Sequence, residues 1–190
     1  MATIFEENFD DSSIEQKGAV GPNNTVDTSG VTKWSIDVSN AGLSASSDWF
    51  RVENSVFEAR DLDGTAIWES QLIDLSGFNN VSFSLLALED GDHEASDFFD
   101  VSYSTDGGST FTKIFNADGF GDSNHTLIGD IPDDNDWVST TITQTIPDTA
   151  SNLILRVEMQ NNAGSELLRL DDVIVTGENG GGGGGTSLAI

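Results

Sequence analysis

Cysteine is missing from the 190-residue chain. That excludes disulfides, zinc–thiolate sites and cysteine nucleophiles together. Cations are scarce as well: 7 Lys and Arg stand against 33 Asp and Glu, for a formal net charge of −26. A surface of that sign repels phosphate backbones and anionic bilayers, so nucleic-acid and membrane partners are not expected. It attracts divalent cations and suits salty surroundings, where screening lowers self-repulsion. The same acids also serve plain solubility. No segment reaches the ~20 apolar residues of a membrane span, and none carries a convincing amphipathic helical pattern. Serine-hydrolase G-x-S-x-G and Gly-rich phosphate loops are absent.

What is there has a period of two. Val81, Phe83, Leu85 and Ala87 alternate with Ser82 and Ser84. Phe99, Val101 and Tyr103 alternate with Asp100, Ser102 and Ser104, and Leu153, Leu155, Val157 and Met159 with Arg156, Glu158 and Gln160. Further strand-like runs cover 3–9, 55–60, 66–73, 111–115, 138–146 and 167–175. Turn signals separate them at Ser76-Gly77, Asp106-Gly107-Gly108, Asp118-Gly119 and Pro147-Asp148. Many short alternating strands with polar turns predict an all-β fold, a two-sheet antiparallel β-sandwich of the jelly-roll kind. The module is expected over residues 1–177. Residues 178–190 read as a Gly-rich linker and the start of a following segment, because the glycine run Gly180–Gly185 behaves as a flexible tether. The opening Met1-Ala2-Thr3 leads straight into a strand-like stretch, without a signal peptide. Both ends read as a piece of a longer secreted protein, with a covalently linked neighbouring domain.

Two places break the alternation. In Phe5-Glu6-Glu7-Asn8-Phe9, Glu7 shares the phase of Phe5 and Phe9. In Leu168-Arg169-Leu170-Asp171-Asp172-Val173-Ile174-Val175, two carboxylates interrupt a run that is apolar on both phases. A buried carboxylate must be protonated, salt-bridged or metal-bound. With cations scarce, a hard cation with oxygen ligands is the economical solution; the alternative puts these acids at strand ends in water.

The start, Glu7-Asn8-Phe9-Asp10-Asp11, and the finish, Leu170-Asp171-Asp172-Val173, resemble the two ends of Ca²⁺-binding jelly rolls of secreted bacterial proteins, both carbohydrate-binding modules and MAM-like domains. Glu69 to Gly77 and Asp100 to Gly108 resemble stretches common in such modules. The resemblance implies first and last strands side by side, fastened by a structural Ca²⁺ on Glu7 or Asp10 with Asp171, Asp172 remaining a candidate.

Two acidic loops stand apart. Glu89-Asp90-Gly91-Asp92-His93-Glu94-Ala95-Ser96-Asp97 offers Glu89, Asp92, Glu94 and Asp97 to a second metal or to sugar hydroxyls, or is simply solvated. The loop from Asn116 to Asp136 holds Asp122 beside Phe120 and ends against Trp137. Asp61-Leu62-Asp63-Gly64 hints at a Ca²⁺ turn but lacks EF-hand spacing. Sugar binding needs flat apolar surface flanked by hydrogen-bonding groups. Trp49 and Trp137 look loop-presented and are the preferred ligand-binding residues, with Phe120 and Asp122; Trp68 reads as core.

Catalysis is not expected. Tyr103 sits in a core-like alternation, and acids are too abundant here to identify a catalytic pair. The expected function is a non-catalytic, monomeric carbohydrate-binding module, Ca²⁺-stabilised and extracellular, whose partner is a neutral or weakly charged polysaccharide. The alternative is a structural or adhesive MAM-like spacer on a cell-surface or extracellular protein.

Overall fold

A computed structural model describes residues 1–93, 96–118 and 137–180. Among these, 14 strands run in chain order: β1 (Ala2–Glu7), β2 (Gly18–Val20), β3 (Thr25–Asp27), β4 (Trp34–Asp37), β5 (Trp49–Glu53), β6 (Val56–Arg60), β7 (Leu62–Ser70), β8 (Ile73–Asp74), β9 (Phe78–Asp90), β10 (Phe98–Ser104), β11 (Thr112–Asp118), β12 (Val138–Thr145), β13 (Asn152–Asn161) and β14 (Leu167–Asn179). The fold is all-β. The larger sheet has the order β12-β9-β14-β6-β5-β2-β3, with β1 also on β14. The smaller has the order β11-β10-β13-β7-β4, with β8 on β13. The two pack as a sandwich, and every pairing is antiparallel.

The alternation that predicted the strands is the alternation of burial. Val81, Phe83, Leu85 and Ala87 of β9 are buried, and so are Leu153, Leu155, Val157 and Met159 of β13. Phe57 lies at the hub of an aromatic cluster: its ring centroid is 4.7 Å from Phe50, 5.2 Å from Trp34 and 5.7 Å from Phe9. Trp68, read as core, is fully buried beside them.

Four strands escaped the periodicity: β2, β3, β4 and β5. Three of them span four residues or fewer, too short for alternation to register. The fourth, β5, places Phe50 and Val52 inward and Trp49, Arg51 and Glu53 outward. Trp49 therefore belongs to a strand rather than a loop. The expected run 66–73 divides between the end of β7 and the start of β8.

The run in β14 that looked apolar on both phases is also corrected. Its burial alternates on one phase up to Leu170 and on the other from Val173, because the register slips between Asp171 and Ile174. A bulge adds a residue to one strand and flips the phase beyond it. Leu168, Leu170, Val173 and Val175 thus all point into one core. Asp172 carries the strain, with φ +47.

Candidate functional site

Three places on this scaffold gather the predicted residues. The first is the bulge in β14. One side of β14 is paired along its length by β9; on the other side β6 pairs residues 167–170 and β1 pairs residues 173–177. Asp171 and Asp172 fall at the junction where β6 and β1 meet end to end, and Glu7 pairs Val173 across it. The chain leaves β1 through Phe9, which adopts φ +56 and turns into the core. Glu7 holds that turn: its Oε1 accepts from the Phe9 amide at 3.1 Å. Glu7 is only 4% exposed, and the half-exposed Lys33 ammonium lies 4.0 Å from its Oε2. Asp10 is exposed, bonded to the Asn8 side chain at 3.1 Å.

Burial pushes the Asp171 carboxyl up to about 6, aided by the charges of Asp172, Asp10 and Glu7 and opposed by the Asp172 amide. Those couplings place all four predicted acids in one electrostatic neighbourhood. Every side-chain donor offered there is oxygen, the preference of a hard cation.

The second place is the outward face of the larger sheet. Across the strands Trp49 pairs Arg60 and Arg51 pairs Glu58, which in turn pairs Arg169. Both the Arg51 and the Arg60 guanidinium lie 4.7 Å from the centre of the Trp49 ring. Glu58, 2% exposed, sits beneath this layer: its Oε1 accepts from the Trp49 indole at 2.9 Å and its Oε2 from Arg169 Nε at 2.6 Å. Arg169 in turn covers the Trp137 ring at 3.7 Å. Trp137 immediately precedes β12 and is 38% exposed. The two tryptophans singled out in the sequence therefore share one face, joined by arginines and a carboxylate. Periodicity gave no sign of Arg51, Glu58, Arg60 or Arg169; the cross-strand registers supply them.

The third place is the end of the sandwich where β9 passes to β10 and β13 to β14. Among the described residues of the acidic loop there, Glu89, His93 and Asp97 are buried, not solvated. Glu89 shares the inward phase of β9, and Glu166 is buried as well. One ligand atom each from His93, Asp97 and Glu166 lies within 4.8 Å of the others, a spacing that fits a metal ion. His93 and Glu166 were missed as candidates. The signal was present in Glu89, two residues past Ala87 in the same phase. Asp92 is partly buried, with Oδ1 inaccessible to solvent. Glu94, Phe120 and Asp122 lie outside the described residues.

The hinted Ca²⁺ turn at Asp61 adjoins Asp48. Burial, then the charges of Asp48 and Asp63, raise the Asp61 carboxyl, while Arg60 opposes them. Asp48 caps its own loop, its Oδ2 accepting from the amides of Ser44 at 2.8 Å and Ala45 at 2.6 Å.

No family model and no curated protein sequence matches the chain. Solved structures do. The K3 cleaved adhesin domain of Lys-gingipain from Porphyromonas gingivalis W83 superposes with a TM-score of 0.52 at 14% identity, covering 92% of this chain and 99% of that one. The likeness is one of fold. A chain from work on the endo-acting O-glycanases with which human gut bacteria initiate mucin breakdown gives 0.50 at 11%, covering 94% and 100%. A family 4 carbohydrate-binding module gives 0.45 at 19%, covering 76% and 86%. An adhesin domain thus stands among the solved structures with this β-sandwich.

Proposed function

We propose that the chain is a non-catalytic carbohydrate-binding module of a larger secreted protein, presenting the outward face of its larger sheet to a neutral or weakly charged polysaccharide. The observation that carries this reading is the joined row Trp49–Glu58–Arg169–Trp137, with Arg51 and Arg60 against Trp49. Indole faces suit the CH faces of pyranose rings, and guanidinium and carboxylate groups beside them suit hydroxyls. Three of the 7 basic residues of an acidic chain converge there. Their charge is matched: Arg51 pairs with Glu53 at 2.8 Å, Arg169 with Glu58 at 2.6 Å, and Arg60 lies within electrostatic reach of Asp61. A matched face has no surplus charge for a polyanion, which favours an uncharged ligand. Arg60 is pinned by the carbonyls of Gly164 at 2.9 Å and Ser47 at 3.1 Å, a rigid edge for the site. A sugar stacking on Trp49 must displace a guanidinium, whereas the exposed Trp137 gives a first foothold.

The absence of catalysis is part of the proposal, supported by the structural engagement of the acids on this face. Ca²⁺ is assigned to the β1–β14 junction, where Glu7, Asp10, Asp171 and Asp172 supply oxygen ligands. Its work there is to fasten the first strand to the last, far from any reaction.

Affinity electrophoresis against neutral and anionic polysaccharides, with Ca²⁺ and with chelator, tests the binding claim. Retardation by a neutral polymer is expected, weakened about tenfold by Trp137→Ala and by Trp49→Ala, since a stacking contact is worth about 1.5 kcal/mol. No retardation of the wild type by any polymer refutes the carbohydrate reading and leaves the adhesive one, which shares its sandwich with the gingipain domain.

A further inference from the structure

Four ionisable side chains at the β9–β10 and β13–β14 end of the sandwich are sealed from water: Glu89 and Glu166 are 1% exposed, and His93 and Asp97 are 0% exposed. They come from two segments remote in sequence, held together by a close backbone approach. Gly91, at φ +112, runs so near the turn before β14 that a Cβ on it would lie 2.7 Å from the Ser165 carbonyl and 2.8 Å from Glu166 Cα. Only glycine permits that approach.

His93 is central. Its Nε2 lies 3.3 Å from Glu89 Oε2 and its Nδ1 3.7 Å from Asp97 Oδ2, yet neither ring nitrogen makes a hydrogen bond. A fully buried imidazole with both nitrogens unsatisfied is costly. Carboxylates only accept hydrogen bonds, so they cannot satisfy the lone pair of a ring nitrogen, whereas a divalent cation can.

The carboxylates are oriented from behind, as ligands are in built metal sites. Ser96 donates to Asp97 Oδ1 at 3.3 Å, and Asn162 donates to Ser96 at 2.9 Å. Glu166 Oε2 accepts from the Ala163 amide at 3.0 Å. Asn161, fully buried, donates to the Glu166 carbonyl at 2.7 Å, and its own Oδ1 lacks a hydrogen bond.

We propose that His93, Asp97 and Glu166 form a structural site for a first-row divalent transition metal such as Zn²⁺, with Glu89 beside it. One imidazole nitrogen with carboxylate oxygens is a donor set for Zn²⁺ or its neighbours; Ca²⁺ takes oxygen alone. The site is distinct from the β1–β14 junction in residues and in donor chemistry. Its metal would clamp the β9–β10 connection onto the β13–β14 turn and bind as the chain folds.

The test starts from protein stripped by chelator and loaded with Zn²⁺ in the presence of millimolar Ca²⁺, with unbound metal removed by gel filtration. One retained equivalent of Zn²⁺ is expected, falling more than about 100-fold in affinity in His93→Gln and in Asp97→Asn. Asp171→Asn and His125→Gln, the latter removing the only other histidine, should retain it. Circular dichroism confirms that each variant is folded. Where His93→Gln fails to fold, X-ray absorption of Zn²⁺ on the wild type decides: an imidazole among oxygen ligands supports the site, and an all-oxygen shell overturns it. No retained Zn²⁺, full retention by folded His93→Gln, or loss in His125→Gln also overturns it. The polysaccharide assay reads a different face, so either claim can fail alone.

Discussion

Asp171→Asn should make the metal-free protein more stable at neutral pH and, in the same tube, abolish its response to Ca²⁺. The Asp171 carboxyl rises from 3.8 to about 6 in the fold, chiefly through burial. A raised acid holds its proton in the folded chain where the unfolded chain has lost it. Its penalty is therefore nil below pH 3.8, grows between 3.8 and about 6, and is complete above that. Full conversion of the shift gives about 3 kcal/mol, and partial exposure reduces this to about 2 kcal/mol. Asparagine removes the penalty and keeps an oxygen for the Asp172 amide, which Asp171 Oδ1 now accepts at 2.8 Å. In chelator at pH 7.5 the variant should melt about 4–8 °C above the wild type. At pH 3.5 the two should coincide. Ca²⁺ reverses the order: it favours the ionised carboxylate, and saturation to 100 times Kd stabilises the wild type by about 2.7 kcal/mol. The variant, having lost a charged ligand, should gain little. Scanning calorimetry across pH, with and without Ca²⁺, checks the crossover. A variant less stable than wild type in chelator at pH 7.5, or an equal Ca²⁺ response in both, refutes the reasoning.

Gly91→Ala forces a Cβ into the Ser165 carbonyl at a backbone angle that L-residues avoid; urea unfolding should show a loss of more than about 2 kcal/mol. Phe57→Ala opens a cavity at the hub of the aromatic cluster and should cost about 3–5 kcal/mol by the same measurement. Glu58→Gln removes the charge beneath Arg169 while keeping an acceptor for Trp49. It should cost about 1–2 kcal/mol and weaken polysaccharide retardation, because the arginine loses the contact that holds it against Trp137.

The fold class was legible because its longest strands alternate over many residues, and burial follows that alternation residue by residue in β9 and β13. The juxtaposition of the chain's two ends was implied by the resemblance of Glu7–Asp11 and Leu170–Val173 to the ends of Ca²⁺-binding jelly rolls; the chemistry of Glu7 and Asp171, acids in apolar company, said only that each needs a partner. The bulge was not, since a phase flip and a strand buried on both faces produce the same string of residues. Nor was β5, where only Phe50 and Val52 mark the inward side. The ligand face depends on which residues stand opposite one another on β5, β6 and β14, and register is a property of pairs that a single strand does not carry. His93 with Glu166 shows the same dependence on distant parts of the chain.

The distribution of charge links the three places. Cations are too few to neutralise this chain, and they are not spread evenly: Arg51, Arg60 and Arg169 serve one sheet face, where carboxylates hold Arg51 and Arg169 and backbone carbonyls hold Arg60. The acids left in apolar surroundings collect at positions where a strand ends in inward phase, Glu7 after Phe5 and Glu89 after Ala87. Each is met by a different local answer: the Phe9 amide and a distant Lys33 for Glu7, and the His93 imidazole for Glu89. Both places gather carboxylates that a cation from solution would join, and the donor sets would divide such cations, oxygen alone at the junction and nitrogen with oxygen at the sandwich end. Chelation should therefore loosen this sandwich at two separable points, and selective restoration with Ca²⁺ or Zn²⁺ should recover stability in two additive steps. A single step satisfied by either ion would mean that one site serves both.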